Sequence, residues 1–173
     1  MKTDRILHVV VSAVMAAAMM VGLSACKDKV GPKAPDFKLP AMGGGQCDLS
    51  AAKGKAVLVE FFSYRCPYCR KEVPHLKELS GKFDSDKVVI FAVHTFGGTR
   101  VDAQLAKLDF GTKVKVCMDD GTVTKKYSAL PKPYGIHGVP HLLILDKKGR
   151  IRQVHRGLTK TAVLKKGLSR YAD

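Results

Sequence analysis

The sequence predicts an α/β fold, a central mixed sheet flanked by helices and preceded by an N-terminal extension. Three observations carry this expectation. Compact apolar runs of strand length fall at 57–62, 88–93 and 114–118, as in strands buried on both faces. Between them lie stretches whose apolar residues recur at helical spacing. A hairpin pattern and one more helix close the chain.

The first residues stand apart from that pattern. Lys2 and Arg5 precede an apolar run from Ile6 to Leu23, and Leu23-Ser24-Ala25-Cys26 follows. A positive start, an apolar stretch and small residues before a cleavage point describe a secretory signal, expected at 1–25. Leu-Ser-Ala-Cys resembles the bacterial lipobox, which implies acylation of Cys26 as the first residue of the mature protein. The competing reading is a single membrane-spanning helix, for which this run, with His8 inside it, is near the lower limit of length. Residues 27–33 are polar and carry Gly31 and Pro32, so 26–33 is expected to be a lipid-anchored tether and 34–173 one domain.

Ordered chain is expected from Ala34-Pro35-Asp36-Phe37-Lys38-Leu39, with Gly43 to Gly45 marking a loop. Beyond the 57–62 strand, Val73, Leu76, Leu79 and Phe83 predict a helix ending near Gly81. Val101, Leu105 and Leu108 repeat at i, i+4, i+7 and predict another, and Asp119-Asp120 predict the cap of a short helix through Tyr127. Residues 128–138 form a loop rich in Pro and Gly. The runs 141–145 and 151–155 predict a hairpin around Lys147-Lys148-Gly149, with Gly149 at the left-handed position. Leu164, Leu168 and Tyr171 line one face of a closing helix, capped by Thr159 or Thr161. The chain has no internal repeat.

Removing residues 1–25 takes the net charge from +15 to +14, so the domain itself is strongly basic. Export argues against nucleic acid as the partner. An anionic lipid surface, an acidic protein, or a solvated face serving only solubility remain, and charge alone does not choose among them. With Cys26 set aside for lipid, Cys47, Cys66, Cys69 and Cys117 are left, in a compartment where disulfides persist.

Cys66-Pro67-Tyr68-Cys69 follows a buried strand and opens a helix. At that end free N–H groups and the helix dipole favour a thiolate. Cys66 is therefore the expected attacking sulfur and Cys69, one turn further in, the buried resolving thiol. Arg65 adds a positive charge beside Cys66. Two cysteines three apart can close a small disulfide, so the pair can carry two electrons with no further cofactor. A zinc half-site would need a second close pair, which isolated Cys47 and Cys117 do not supply. A purely structural bridge is the other bland reading.

The stretch Glu60-Phe61-Phe62-Ser63-Tyr64-Arg65-Cys66-Pro67-Tyr68-Cys69, with Pro74 in the next helix and Gly138-Val139-Pro140 before a strand, resembles the thioredoxin superfamily. Over nearly the whole mature chain the likeness is to the TlpA/ResA-like extracytoplasmic thioredoxins, through 34–39, 134–140, Leu145-Asp146 and Gly149. The segment 96–118 corresponds to their inserted helix and strand between the Cys66–Cys69 helix and the cis-proline. The active-site stretch alone is closer to the DsbA-type oxidants, but no segment between Cys69 and Pro140 is long enough for their helical domain. The resemblance implies three roles. Pro140 is the cis-proline, leaving the Val139 backbone free to pair with an extended substrate. Glu60 is a buried acid that shuttles the proton of Cys69. Pro74 kinks the active-site helix.

The implied activity is thiol–disulfide exchange with exported proteins on the periplasmic side, by a monomer serving cytochrome c or oxidase maturation and coupled to a membrane redox donor or acceptor. Pro67, Tyr68, Val139 and His141 are the expected substrate contacts. His141 departs from the family pattern. Protonated, it would stabilise the Cys66 thiolate; neutral, it would join Cys66 and Cys69 in a copper-binding assembly factor; or it makes one backbone hydrogen bond. A DsbA-like dithiol oxidase is the further alternative, and an inert scaffold the last. The loop 128–133 either selects partners or is an insertion. Cys47 and Cys117 are expected as buried free thiols, with a structural bridge between them as the alternative.

Overall fold

The structure, a computed structural model, describes residues 30–95 and 102–173. The expected signal at 1–25, the lipidated Cys26, residues 27–29 of the tether and Val101 lie outside the described residues. Every residue of β3 (Ala56–Phe62) is buried, as its Val, Leu and Phe content demands of a central strand. It pairs in parallel with β4 (Val88–His94), Glu60 opposite Ala92 and Phe62 opposite His94. A parallel pair needs a crossover, and α1 (Pro67–Ser80) supplies it, ending at Gly81 as expected. β5 (Val114–Met118) extends the sheet beside β4. β6 (His141–Leu145) runs antiparallel on the other side of β3, and β7 (Ile151–Arg156) closes the order β5-β4-β3-β6-β7.

Alternation along these strands makes two cores. Ala56, Leu58, Phe62, Ile90, Ala92, Leu142 and Ile144 face Cys69, Val73, Leu76 and Leu79 of α1 and Leu164 and Leu168 of α4 (Thr161–Ala172). Val57, Val59, Phe61, Phe91, Val93, Leu143 and Leu145 face Phe37, Leu39, Cys47 and Tyr127. At about 25 cal/mol per Å² of buried apolar surface, two such layers are the main stabilising term.

The sequence reading missed the hairpin of β1 (Lys38–Pro40) and β2 (Gln46–Asp48) that covers the second core. Three residues per strand are too few for an alternation to register. Its turn needs Gly43, Gly44 and Gly45, all at positive φ. The Met42 N–H then donates to Val116 O (2.9 Å), tying the hairpin to β5.

The second expected helix ends earlier than its spacing suggested. Among the described residues α2 covers Asp102–Leu105, and the chain continues through tight turns in which Leu108 N–H donates to Leu105 O. Phe110, 3% exposed, plugs the first core, and Gly111 at φ 71 turns the chain toward β5. At the start of α3 (Thr122–Ser128) Gly121 holds the cap position, and the two aspartates just before it satisfy the first turn: Asp119 accepts from the N–H groups of Val123 and Thr124, and Asp120 from that of Thr122. The hairpin turn at Gly149 is also as expected, its Asp146 carboxylate accepting from Lys148 and Arg150 N–H. Neither threonine caps α4. Lys160 holds that position, while the Thr159 hydroxyl donates to Gly157 O and that of Thr161 to Glu78 Oε2.

Candidate active site

Cys66 is the N-cap of α1, with extended backbone, and Pro67 follows at the first helical position where a missing N–H costs nothing. Its sulfur accepts the Cys69 N–H at 3.2 Å, so the cap interaction is made by the sulfur itself. Cys66 is half-buried and Cys69, 1% exposed, lies beneath it; both are free thiols. The Cys66 thiol also reaches Val139 O at 3.6 Å. The Val139–Pro140 peptide is cis, and β6 begins directly after it. Pro74 lies inside α1.

Glu60 shares the Leu58 and Phe62 face of β3, toward α1, and is 1% exposed with Oε1 unpartnered. Burial pushes its proton affinity well above the usual carboxylate range, and the neighbouring Glu72 and Cys66 push the same way. Burial likewise raises the Cys69 thiol far above an ordinary cysteine, with the Cys66 contact next in size. The resolving thiol therefore keeps its proton, and a carboxyl that can hold or release one lies close by.

Glu72 was not singled out from the sequence. It is fully buried on α1; its Oε2 accepts the Thr159 N–H at 2.8 Å, and His75 Nδ1 stands 3.9 Å from its unpartnered Oε1. Burial raises its proton affinity too, with Thr159 and His75 opposing. The signal was its place three residues after Cys69, which puts both on the inner side of one helix. His94, at the end of β4, is the other missed group. Its ring stacks on Tyr64 (5.6 Å), and Nε2 accepts the Tyr64 N–H at 3.3 Å, steadying the loop before Cys66. Burial lowers its proton affinity, so it serves as that neutral acceptor.

Three expectations need correction. Arg65 is committed to Tyr64, its Nε donating to the phenol oxygen at 3.0 Å and its guanidinium lying over the ring at 5.6 Å, rather than to Cys66. His141 lies on the opposite sheet face from Cys69, because it shares the face of Leu143 and Leu145, two and four residues on. Burial first and Arg156 next push it down to about 4, and the carbonyl of Tyr134 is its backbone partner. A neutral ring on the wrong face neither stabilises the Cys66 thiolate nor completes a copper site. Among the described residues no three His, Cys, Asp or Glu side chains are placed to hold a metal ion. Third, Cys47 and Cys117 are not free thiols: they form a disulfide between β2 and β5, with Cα atoms 5.8 Å apart and both residues fully buried. Of the expected substrate contacts, Pro67 and Tyr68 are exposed at the head of α1, with Lys71 over the Tyr68 ring. The 128–133 loop is held at the Arg156 end of β7, which donates to Pro133 O at 2.6 Å.

Residues 30–154 match the AhpC/TSA family model. The chain belongs to the AhpC/TSA family. It is 27% identical to the thiol-disulfide oxidoreductase ResA of Bacillus anthracis over 87% of both chains. It is 29% identical to the thioredoxin-like protein YneN of Bacillus subtilis, over 73% of this chain and 71% of that one. Among solved structures, the pneumococcal exposed lipoprotein thioredoxin of Streptococcus pneumoniae superposes with a TM-score of 0.67 at 23% identity, covering 79% of this chain and 99% of that one, which shows the thioredoxin fold. With two free cysteines placed for exchange at the head of α1, the chain is a thiol–disulfide oxidoreductase with ResA-like relatives.

Proposed function

We propose that this protein is an extracytoplasmic, lipid-anchored monomer that reduces disulfides in exported proteins, cytochrome c or oxidase maturation being the use its resemblance suggests. The observation that carries the exchange chemistry is the half-buried Cys66 sulfur at the cap of α1 above the buried Cys69 thiol, with Glu60 beside them.

Cys66 attacks one sulfur of a substrate disulfide, forming a mixed disulfide and releasing a substrate thiolate that takes a proton. Cys69 then gives its proton to ionised Glu60 and attacks Cys66, closing the Cys66–Cys69 bridge and freeing the second substrate thiol. Two electrons pass from protein to substrate. In reverse, a protonated Glu60 supplies Cys69 with its proton as the bridge opens. The backbone at Val139, next to the Cys66 sulfur, is suited to pair with an extended substrate segment. A membrane redox donor would return the pair to the dithiol.

The buried Cys47–Cys117 bridge supports an oxidising compartment, since such bonds persist outside the reducing cytosol. The Leu23-Ser24-Ala25-Cys26 sequence supports the anchor, as does the likeness to a lipoprotein thioredoxin. Equilibration of the Cys66–Cys69 couple with glutathione tests the direction: a potential near about −270 mV supports a reductase, and one near about −120 mV assigns an oxidant instead. Incorporation of labelled palmitate that is lost in Cys26→Ala supports the anchor; incorporation unchanged in that variant overturns it.

A further inference from the structure

A groove lined by Arg65, the residue before the reactive Cys66, has no part in the exchange steps above. Tyr64, Arg65 and Arg70 line one wall, and Gln104, Lys107 and Leu108 line the other. Three cations meet there, and among the described residues no carboxylate lines it. Arg70 Nη1 donates to Tyr64 O (3.0 Å) and Arg65 Nε to the Tyr64 hydroxyl (3.0 Å), so both side chains are held in place by the loop they border. A guanidinium carries five N–H donors in a planar fork, which leaves donors on each for a carboxylate. The Tyr64 ring on one wall and Leu108 on the other add apolar surface among these cations.

We propose that this groove selects substrates by binding an acidic, extended peptide segment that flanks the target cysteine. The inference rests on the exchange reading and names the substrate class that it lacks. Cys66 joins the two binding features: its sulfur lies 3.6 Å from Val139 O, and its chain neighbour Arg65 lines the groove. The Val139 backbone can pair with any extended chain and so reads no sequence, whereas the groove reads charge. A concave site one residue along the chain from Cys66, with apolar surface among its cations, fits a peptide better than a lipid surface, which a flat basic face would serve. Exposed charge pairs are individually weak, so the preference should be modest, about tenfold in kcat/KM or ~1.4 kcal/mol.

The test uses the full-length protein and three peptide disulfides that differ only in having acidic, neutral or basic residues beside the cysteine. The wild type should turn over the acidic peptide about tenfold faster than the neutral one, and the ratio should fall toward one in about 0.5 M salt. Lys107→Glu should abolish or invert the ratio, while Lys166→Glu, the same charge change on an exposed position of α4, should leave it intact. Equal turnover of the three peptides by wild type, or an unchanged ratio in Lys107→Glu, overturns the proposal. So does a Lys107→Glu variant that keeps the ratio but loses binding to phosphatidylglycerol vesicles, which would assign the groove to lipid. No turnover of any peptide would instead sink the exchange reading on which the proposal depends.

Discussion

On the α1 face of the sheet two cysteines stay free, whereas on the opposite face two others are joined and sealed. Cys66 and Cys69 lie at a helix head, one half-exposed and both near buried carboxyl groups. Cys47 and Cys117 are fully buried between β2 and β5, within a core of Phe37, Phe91 and Tyr127. The histidines divide in the same way: His94 braces the active-site loop, and His141 is a neutral core residue on the far side. Residue type does not set the role. The face of the sheet does, together with whether a helix end reaches the site.

The comparison breaks first at Cys66. Cys66→Ser should lower insulin-disulfide reduction by on the order of 10³-fold, and Cys69→Ser should accumulate a mixed disulfide visible on a non-reducing gel. The far-face pair should behave oppositely. Replacing Cys47 and Cys117 with alanine opens a 70-residue connection and should cost about 4 kcal/mol in chemical denaturation, while the folded fraction keeps its exchange activity.

Glu60 sharpens the contrast through pH. Glu60→Gln should slow closure of the Cys66–Cys69 bridge by about 10²-fold and remove the pH step that Glu60 gives to that rate. The folded chain holds the Glu60 proton above the ordinary 4.5 at which the unfolded chain releases it. The stability this proton contributes is complete below 4.5 and falls as pH rises through the raised value, a loss that denaturation of Glu60→Gln should not show. The smallest effect is expected at His141. Its folded value of about 4 lies below its ordinary 6.5, so its contribution is complete above 6.5 and declines as pH falls toward 4. His141→Leu should flatten that slope in thermal melts and leave exchange rates alone.

The five strands of the central sheet, the three longer helices and the dithiol were legible in the sequence because each rests on a local signal. Apolar runs mark β3, β4 and β6, aspartates mark the start of α3, and Cys66-Pro67-Tyr68-Cys69 marks the head of α1. What escaped depends on distant chain meeting. The Cys47–Cys117 bridge joins residues 70 apart and needed the unrecognised β1–β2 hairpin to bring them together. Glu72 looks like a solvated helix residue until α4 and Thr159 close over it. His141 was placed near the sulfurs by its neighbour Pro140, yet one residue along a strand reverses the face.

Site-resolved alkylation tests the central claim most directly. The protein, with Cys66 and Cys69 reduced under conditions that spare the buried bridge, is treated with substoichiometric iodoacetamide at neutral pH and mapped by mass spectrometry. The label should fall on Cys66, with Cys69 unmodified and Cys47 and Cys117 still joined. Label arriving at Cys69 first, or equally on both, would contradict the assignment of Cys66 as the attacking sulfur.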